Sequence, residues 1–324
     1  MGDGSPAIDV VRHRYLFYNL SEKPRTRCSV PELPEVETVV RDLRSCLSQR
    51  QLTRVRQTSK HSLRTRWRPV WSGAITGKRV ESITRRGKWI LVTLENEAIL
   101  VVHLGMTGQL TVVSHATPLA DHTHLIFDLD DGEQQLRFRD IRRFGSVTFF
   151  RSQQALEIFF ASSRLGPEPF HVPARYWHDC LRPSKRCLKA VLLDQSVIAG
   201  VGNIYADESL FEARLHPARL ACDLNDAEID RLRRAVAKVL RRAIEKRGSS
   251  IRNYVDGSGV QGGYQNEFRV YGRTGAPCPR CGTAIECRRL AGRSSHYCPT
   301  CQNKATPKHT NNTAKDKKDS KKKR

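Results

Sequence analysis

Pro31 and Glu32 are adjacent residues that together could open a sugar. A secondary amine attacks an acetal carbon, and a carboxyl protonates the departing oxygen. Proline is the only residue whose free amino group is secondary, so this chemistry requires Pro31 to be a chain terminus. In this sequence 30 residues precede it, and in mid-chain its nitrogen is an amide. The same stretch, Pro31-Glu32-Leu33-Pro34-Glu35-Val36-Glu37, also reads as an ordinary helix start, with Pro34 in the first turn and acidic residues at the positive helix end.

The second constellation is Cys278-Pro-Arg-Cys281 and Cys298-Pro-Thr-Cys301, separated by sixteen residues. This C-x2-C-x16-C-x2-C spacing suits a closed four-thiolate zinc site, one Zn2+ per subunit, that shapes a hairpin rather than catalyses. Two disulfides or unliganded thiols are the alternatives. The other cysteines are five scattered singles (Cys28, Cys46, Cys180, Cys187, Cys222) and Cys287 between the pairs, a pattern that fits a reducing cytosol. Cys287 and His296 are left out of the metal shell.

Elements that would hold these residues follow in order. Val36, Val39, Val40, Leu43 and Leu47 recur at helical spacing and predict an amphipathic helix from Pro34 to about Gln49. Between Leu52 and Arg151 short apolar or alternating runs, such as Lys88 to Leu94, Ile99 to Val102 and Leu125 to Leu129, predict strands, with a hairpin turn at Asp131-Gly132. From about 152 to 250 the texture is helical. Asn225 with Glu228 predicts a capped helix running to Arg247 and stopped by Gly248, and the segments Leu188 to Leu193 and Asn203 to Ala213 flank the glycine-bearing turn Ile198-Ala-Gly-Val-Gly202. The fold class is therefore α+β in two lobes, a helix with an antiparallel β-sandwich followed by a helical domain and a cysteine hairpin.

A net charge of +23 and a pI near 10.0 call for a polyanionic partner, with nucleic acid ahead of an anionic membrane surface. The tail 302–324 carries nine Lys/Arg against two Asp, and +16 remains on the rest of the chain. No apolar run is long enough to span a bilayer, and the cluster Tyr15 to Tyr18 is neither signal peptide nor anchor. Residues 1–30 lack periodicity, and the tail reads as disordered.

PELPEVETVV resembles the amino-terminal signature of the formamidopyrimidine-DNA glycosylases, which excise oxidised purines from DNA. Further motifs follow in family order: Arg85-Arg-Gly-Lys88, His103-Leu-Gly-Met106-Thr-Gly, Arg142-Arg-Phe144-Gly, Gly200-Val-Gly-Asn203-Ile-Tyr and the cysteine hairpin. The resemblance spans about 270 residues. It implies that Pro31, as the mature terminus, is the nucleophile, Glu32 the acid, and Lys88 a proton donor to the damaged nucleotide. It implies that Arg293 contacts a phosphate at the lesion and is needed for strand cleavage. Met106, Arg142 and Phe144 match the wedge that fills the space left by a flipped base, with Arg142 also checking the orphaned cytosine. Asn203 and Lys189 match phosphate-gripping positions, and His122 a backbone-contacting histidine. Ser250 to Tyr254 with Gly262-Gly-Tyr264 resembles a loop that closes over the everted base. Without the resemblance, Lys88, Arg293, Met106 and Phe144 would read as solvated charges or core side chains.

The implied domains are an extension at 1–30, a catalytic helix and β-sandwich at 31–151, a helix-two-turn-helix domain at 152–272, a zinc finger at 273–301 and the basic tail. The expected enzyme is a monomeric, cytoplasmic, bacterial glycosylase and lyase acting on damaged double-stranded DNA by β,δ-elimination. The alternatives are a sister enzyme for oxidised pyrimidines and, with residues 1–30 retained, a non-catalytic zinc-containing DNA-binding protein. Initiation at Val30 on a codon such as GTG, followed by methionine removal, would expose the Pro31 amine.

Overall fold

Helix α1 (Leu33–Leu47) turns the predicted periodicity into one buried stripe: Val36, Val39, Val40, Leu43 and Leu47 are all in the core. Glu32 is its N-cap, and Glu35 Oε2 accepts from the Glu32 backbone nitrogen at 2.9 Å. The helix ends where Gln49 takes a left-handed backbone. The computed structural model describes residues 30–58, 63–249 and 262–303. The expectations for residues 1–29, for the tail from 304 onward and for the closing loop from Ser250 to Gln261 lie outside the described residues, whereas Gln302, expected in the tail, is buried and its Nε2 donates to Leu215 O at 2.9 Å.

The stripe packs on a sandwich of two four-stranded antiparallel sheets. One has the order β1 (Leu52–Gln57), β6 (Thr123–Leu129), β7 (Gln134–Asp140), β5 (Gly108–Ser114). The other runs β2 (Val80–Arg86), β3 (Trp89–Leu94), β4 (Ala98–His103), β8 (Ser146–Phe150). The expected sandwich is thus present, and the Asp131-Gly132 turn joins β6 to β7, with Asp131 Oδ1 accepting from the backbone nitrogens of Glu133 and Gln134. Two details differ from expectation. A short helix, α2 (Pro69–Ile75), interrupts the strands with a proline in its first turn. Lys88 does not start a strand but shares a two-residue turn with Gly87, whose φ is +58, because Arg86 and Trp89 pair directly across the β2–β3 hairpin.

Past β8 come α3 (Gln153–Ser162), α4 (Ala174–Leu181), α5 (Leu188–Leu193), α6 (Asn203–Glu212) and α7 (Asp226–Glu245). The capping box predicted for α7 is present: Asn225 Oδ1 accepts from Glu228 N at 3.0 Å, and Glu228 Oε2 accepts from Asn225 N at 3.0 Å. α3 packs Leu156 on Ile99 and Val101 of β4, while α4 to α7 share a second core built on Trp177, Tyr205, Leu210, Leu232 and Val236, which also takes in Leu33 from the first turn of α1. Arg247, just past α7, grips Asp42 of α1 through both carboxylate oxygens at 2.8 Å. The chain then forms the hairpin β9 (Glu286–Leu290) and β10 (Arg293–Tyr297), and β10 lies on α6.

Candidate active site and nucleic-acid interface

The start of α1 meets the turn before α6. Leu33 N donates to Gly200 O at 3.1 Å, and the Leu33 side chain lies where a Cβ on Gly200 would be, so that residue, at φ +92, has to be glycine. This contact brings Glu32 over the amino end of α6. Its carboxyl oxygens accept from the backbone nitrogens of Gly202 (2.7 Å), Ile204 (2.9 Å) and Tyr205 (3.4 Å). Pro31, buried, is the residue before it.

Glu32 is only 2% exposed, and desolvation raises its pKa from the ordinary carboxylate value to about 7, against the lowering pull of Lys88 and the amides. A carboxyl titrating there is divided between its acid and base forms at neutral pH, as a proton donor must be. Beneath it Glu35 is also buried. It accepts from Tyr205 Oη (2.5 Å) and from the nitrogen (2.7 Å) and Oγ (2.9 Å) of Ser249, and desolvation raises its pKa as well.

Lys88 reaches this place from the β2–β3 turn. Burial lowers its pKa, the charges of Glu32 and Glu35 oppose that shift, and Arg293 reinforces it, so the four groups lie within electrostatic reach of one another. The turn is held from the helical side by Glu168, whose Oε1 accepts from Gly87 N (2.5 Å) and Arg85 Nη1 (3.0 Å). Arg293 is exposed at the start of β10. Asn203 begins α6, and its Nδ2 approaches Ser294 Oγ at 3.5 Å, setting it beside the same hairpin.

Met106, Arg142 and Phe144, the three residues expected to form a wedge, lie on two loops that meet. A Cβ on Gly105 would strike the backbone of Phe144 and Gly145, which shows how closely the two loops are pressed. Asp140, fully buried, clamps them: it accepts from Thr107 Oγ1 in one loop and from Gly145 N (2.7 Å) in the other, and Thr107 Oγ1 in turn accepts from Arg142 N (3.0 Å). The Arg142 guanidinium lies 4.7 Å from the centre of the Phe144 ring, and Phe144 is 46% exposed. Met106 is half-buried in the facing loop. A planar cation on an exposed aromatic ring suits insertion into a base stack. His122 is exposed, at φ +65, in the loop before β6.

Lys189 is a correction. It has no exposed surface, and its Nζ donates to Asp207 Oδ1 (2.6 Å) and to Asn203 O (2.9 Å). A side chain with both partners inside the core does not reach a phosphate, and its position behind Asn203 makes it a support for that residue instead.

The four cysteine sulfurs lie within 4.8 Å of one another, with Cys278 Sγ to Cys301 Sγ at 3.9 Å and Cys281 Sγ to Cys298 Sγ at 3.5 Å. Tetrahedral zinc–thiolate geometry asks for sulfurs about 3.8 Å apart. The backbone nitrogens of Arg280 and Cys301 donate to Cys278 Sγ and Cys298 Sγ, as in metal-binding knuckles. The donor set therefore fits a structural metal and has no position left for substrate.

Sequence reasoning missed Glu35, Asp140, Asp207 and His103. His103 Nδ1 accepts from Gly105 N at 3.0 Å, its ring packs on Trp89, and burial next to Lys88 and Arg64 pushes its pKa down to about 3, so it is neutral. Its place in the His103-to-Gly108 motif was visible but carried no assignment.

Residues 30–147 match the formamidopyrimidine-DNA glycosylase N-terminal domain, residues 165–255 its H2TH domain, and residues 275–304 the zinc finger found in FPG and IleRS. The chain belongs to the formamidopyrimidine-DNA glycosylase family. It is 42% identical over 276 residues to the formamidopyrimidine-DNA glycosylase of Desulforamulus reducens, covering 84% of this chain and 99% of that protein. With that of Moorella thermoacetica it shares 46% over 259 residues, covering 79% and 94%. A crystal structure of a Lactococcus lactis FPG mutant with Fapy-dG-containing DNA superposes with a TM-score of 0.79 at 34% identity, covering 84% of this chain and all of that one. The Lactococcus lactis Fpg complex with abasic-site DNA gives 0.78 at 34%, covering 84% and 99%. Among the described residues no helix is long and apolar enough to cross a membrane.

Proposed function

We propose that this chain excises oxidised purines, 8-oxoguanine and formamidopyrimidines, from double-stranded DNA and cleaves the abasic site it creates. The observation that carries the reading is the Glu32 carboxyl, next to Pro31, held by three backbone nitrogens of the 202–205 turn and tuned to about pH 7. The Pro31 nitrogen bonds to C1′, the base leaves with the electron pair of the glycosidic bond, and Glu32 delivers a proton to the ring oxygen as the sugar opens. The resulting iminium acidifies the neighbouring sugar protons, and β- then δ-elimination leaves a one-nucleotide gap with phosphates at both ends. Lys88 donates a proton at the damaged nucleotide. Arg293 and Asn203 hold the phosphates beside it, while Met106, Arg142 and Phe144 fill the stack and His122 touches the backbone.

The division into a catalytic lobe at 31–151, a DNA-binding lobe at 152–272 and a finger at 273–301 belongs to this reading. So do one zinc per chain in the cysteine site and action as a monomer in the cytoplasm. The Pro31 amine requires removal of everything before it, by initiation at Val30 and methionine loss or by proteolysis. Borohydride trapping tests this. A chain beginning at Pro31 forms a covalent adduct with 8-oxoguanine DNA, and a chain verified to begin at Met1 does not. Trapping by the intact Met1 chain would assign the nucleophile to another amine, Lys88 first. A preference for an oxidised pyrimidine over 8-oxoguanine would move the enzyme to the sister group.

A further inference from the structure

We propose that Asp207 is a positioning residue that sets where Arg293 and Asn203 meet the DNA, by tying the cysteine hairpin to α6 independently of the metal. The inference rests on the reading above for the roles of Arg293 and Asn203.

Asp207 lies one turn along α6 from Asn203 and has no exposed surface. Both of its oxygens are engaged. Oδ1 accepts from Lys189 Nζ at 2.6 Å, and Oδ2 accepts from the His296 backbone nitrogen at 2.9 Å and lies 3.0 Å from His296 Nδ1. The same Lys189 Nζ donates to Asn203 O at 2.9 Å, so one carboxylate holds the first residue of α6 through Lys189 and the cysteine-side end of β10 through His296.

The hairpin is thereby gripped at two levels. At its base, Cys298 follows directly on β10 and is fixed by the thiolate site. Two residues up from Cys298, at the penultimate residue of β10, the Asp207 contact fixes His296, three residues from Arg293 at the exposed end. A metal at the base alone leaves a short two-stranded ribbon free to tilt about that base, and tilt is largest at the tip. Apolar packing of Phe211, Val270 and Ile285 and the Tyr297 ring on His216 also hold the finger, and Asp207 adds the polar contact that sets the register of β10 on α6, where Asn203 Nδ2 lies beside Ser294 Oγ.

The energetics point the same way. A buried ion pair is weak support for stability, because apolar residues of similar volume often serve as well. What apolar residues cannot do is fix the register of a strand on a helix through a backbone nitrogen. Burial of Asp207, Lys189 and His296 with side-chain hydrogen bonds that join α5, α6 and β10 fits a device for geometry rather than for stability.

The test is a double-mutant cycle in the chain beginning at Pro31, since groups acting as one unit are non-additive. Asp207→Asn and, as a charge-balanced variant that does not strand Lys189, the pair Lys189→Met with Asp207→Leu are each made with and without Arg293→Ala. Three quantities are measured: bound zinc, affinity for duplex containing a tetrahydrofuran abasic analogue, and the strand-cleavage rate at saturating DNA. Expected are full zinc content, at least a ~10-fold loss in cleavage rate and in abasic-duplex affinity with Arg293 present, and little further loss with Arg293 already removed. Full additivity with Arg293→Ala, or wild-type rate and affinity in the charge-balanced variant, overturns the proposal. Loss of zinc in both variants also overturns it, because the contact would then be part of the metal site. If the parent chain binds the duplex but cleaves nothing, the reading of function fails while the affinity cycle still decides the role of Asp207.

Discussion

Glu32 Oε2 accepts a hydrogen bond from the backbone nitrogen of Gly202 at 2.7 Å, across 170 positions of sequence. Glu32, the proposed proton donor, is thus held by the start of α6 although it caps α1. A Cβ at residue 202 would collide with the Glu32 carboxyl carbon.

Gly202→Ala therefore displaces the Glu32 carboxyl. The expected result is a loss in base-excision rate on the order of 100-fold with undamaged-DNA affinity retained, read by single-turnover kinetics. A wild-type rate would separate Glu32 from the chemical step.

The pH profile follows from the same group. Because burial raises the Glu32 pKa to about 7, the carboxyl is protonated below that pH and ionised above it. Base excision that needs its proton falls as pH rises through about 7, instead of near the ordinary carboxylate pKa. Single-turnover rates between pH 5 and 9 check the position of that limb, and a flat profile across this range contradicts the role.

Arg142→Ala removes the cation resting on Phe144 and leaves the Asp140 clamp intact, since the clamp engages the Arg142 backbone. Discrimination for cytosine opposite the lesion weakens by ~1–3 kcal/mol, while binding to undamaged duplex changes much less, because phosphate contacts carry little sequence information. Excision measured against all four opposite bases decides it, and an unchanged ranking removes Arg142 from base reading.

Cys298→Ser withdraws one thiolate from the cysteine site. Metal content and DNA affinity are both lost, while the sandwich, whose core shares no residue with the hairpin, keeps its strands. Metal analysis with circular dichroism reads both effects, and a metal-free variant with full affinity would remove the hairpin from the interface.

Much of this was legible in the sequence where local rules decide structure. The stripe from Val36 to Leu47, the Asn225–Glu228 cap and the cysteine spacing each state their outcome within a few residues. What was not legible depends on partners far away in sequence. Glu35 looks like any acidic residue favouring a helix start, yet it is buried because Tyr205 and Ser249 arrive to donate to it. Asp140, two residues before the Arg142-Arg-Phe144-Gly motif, shows no role until the Thr107 loop meets it. Lys189 reads as a cation for phosphate, and only the fold supplies the Asp207 that keeps it inside. Polar residues in the core carry no periodic signature, so their burial appears only with tertiary structure.

The bridge from Glu32 to Gly202 also sets when this protein can first work. A ribosome adding roughly 5–20 residues per second needs on the order of 10–30 s between the two positions. Throughout that interval Glu32 lacks the backbone nitrogens of Gly202, Ile204 and Tyr205 that hold it, so the site is assembled only after the start of α6 has been made.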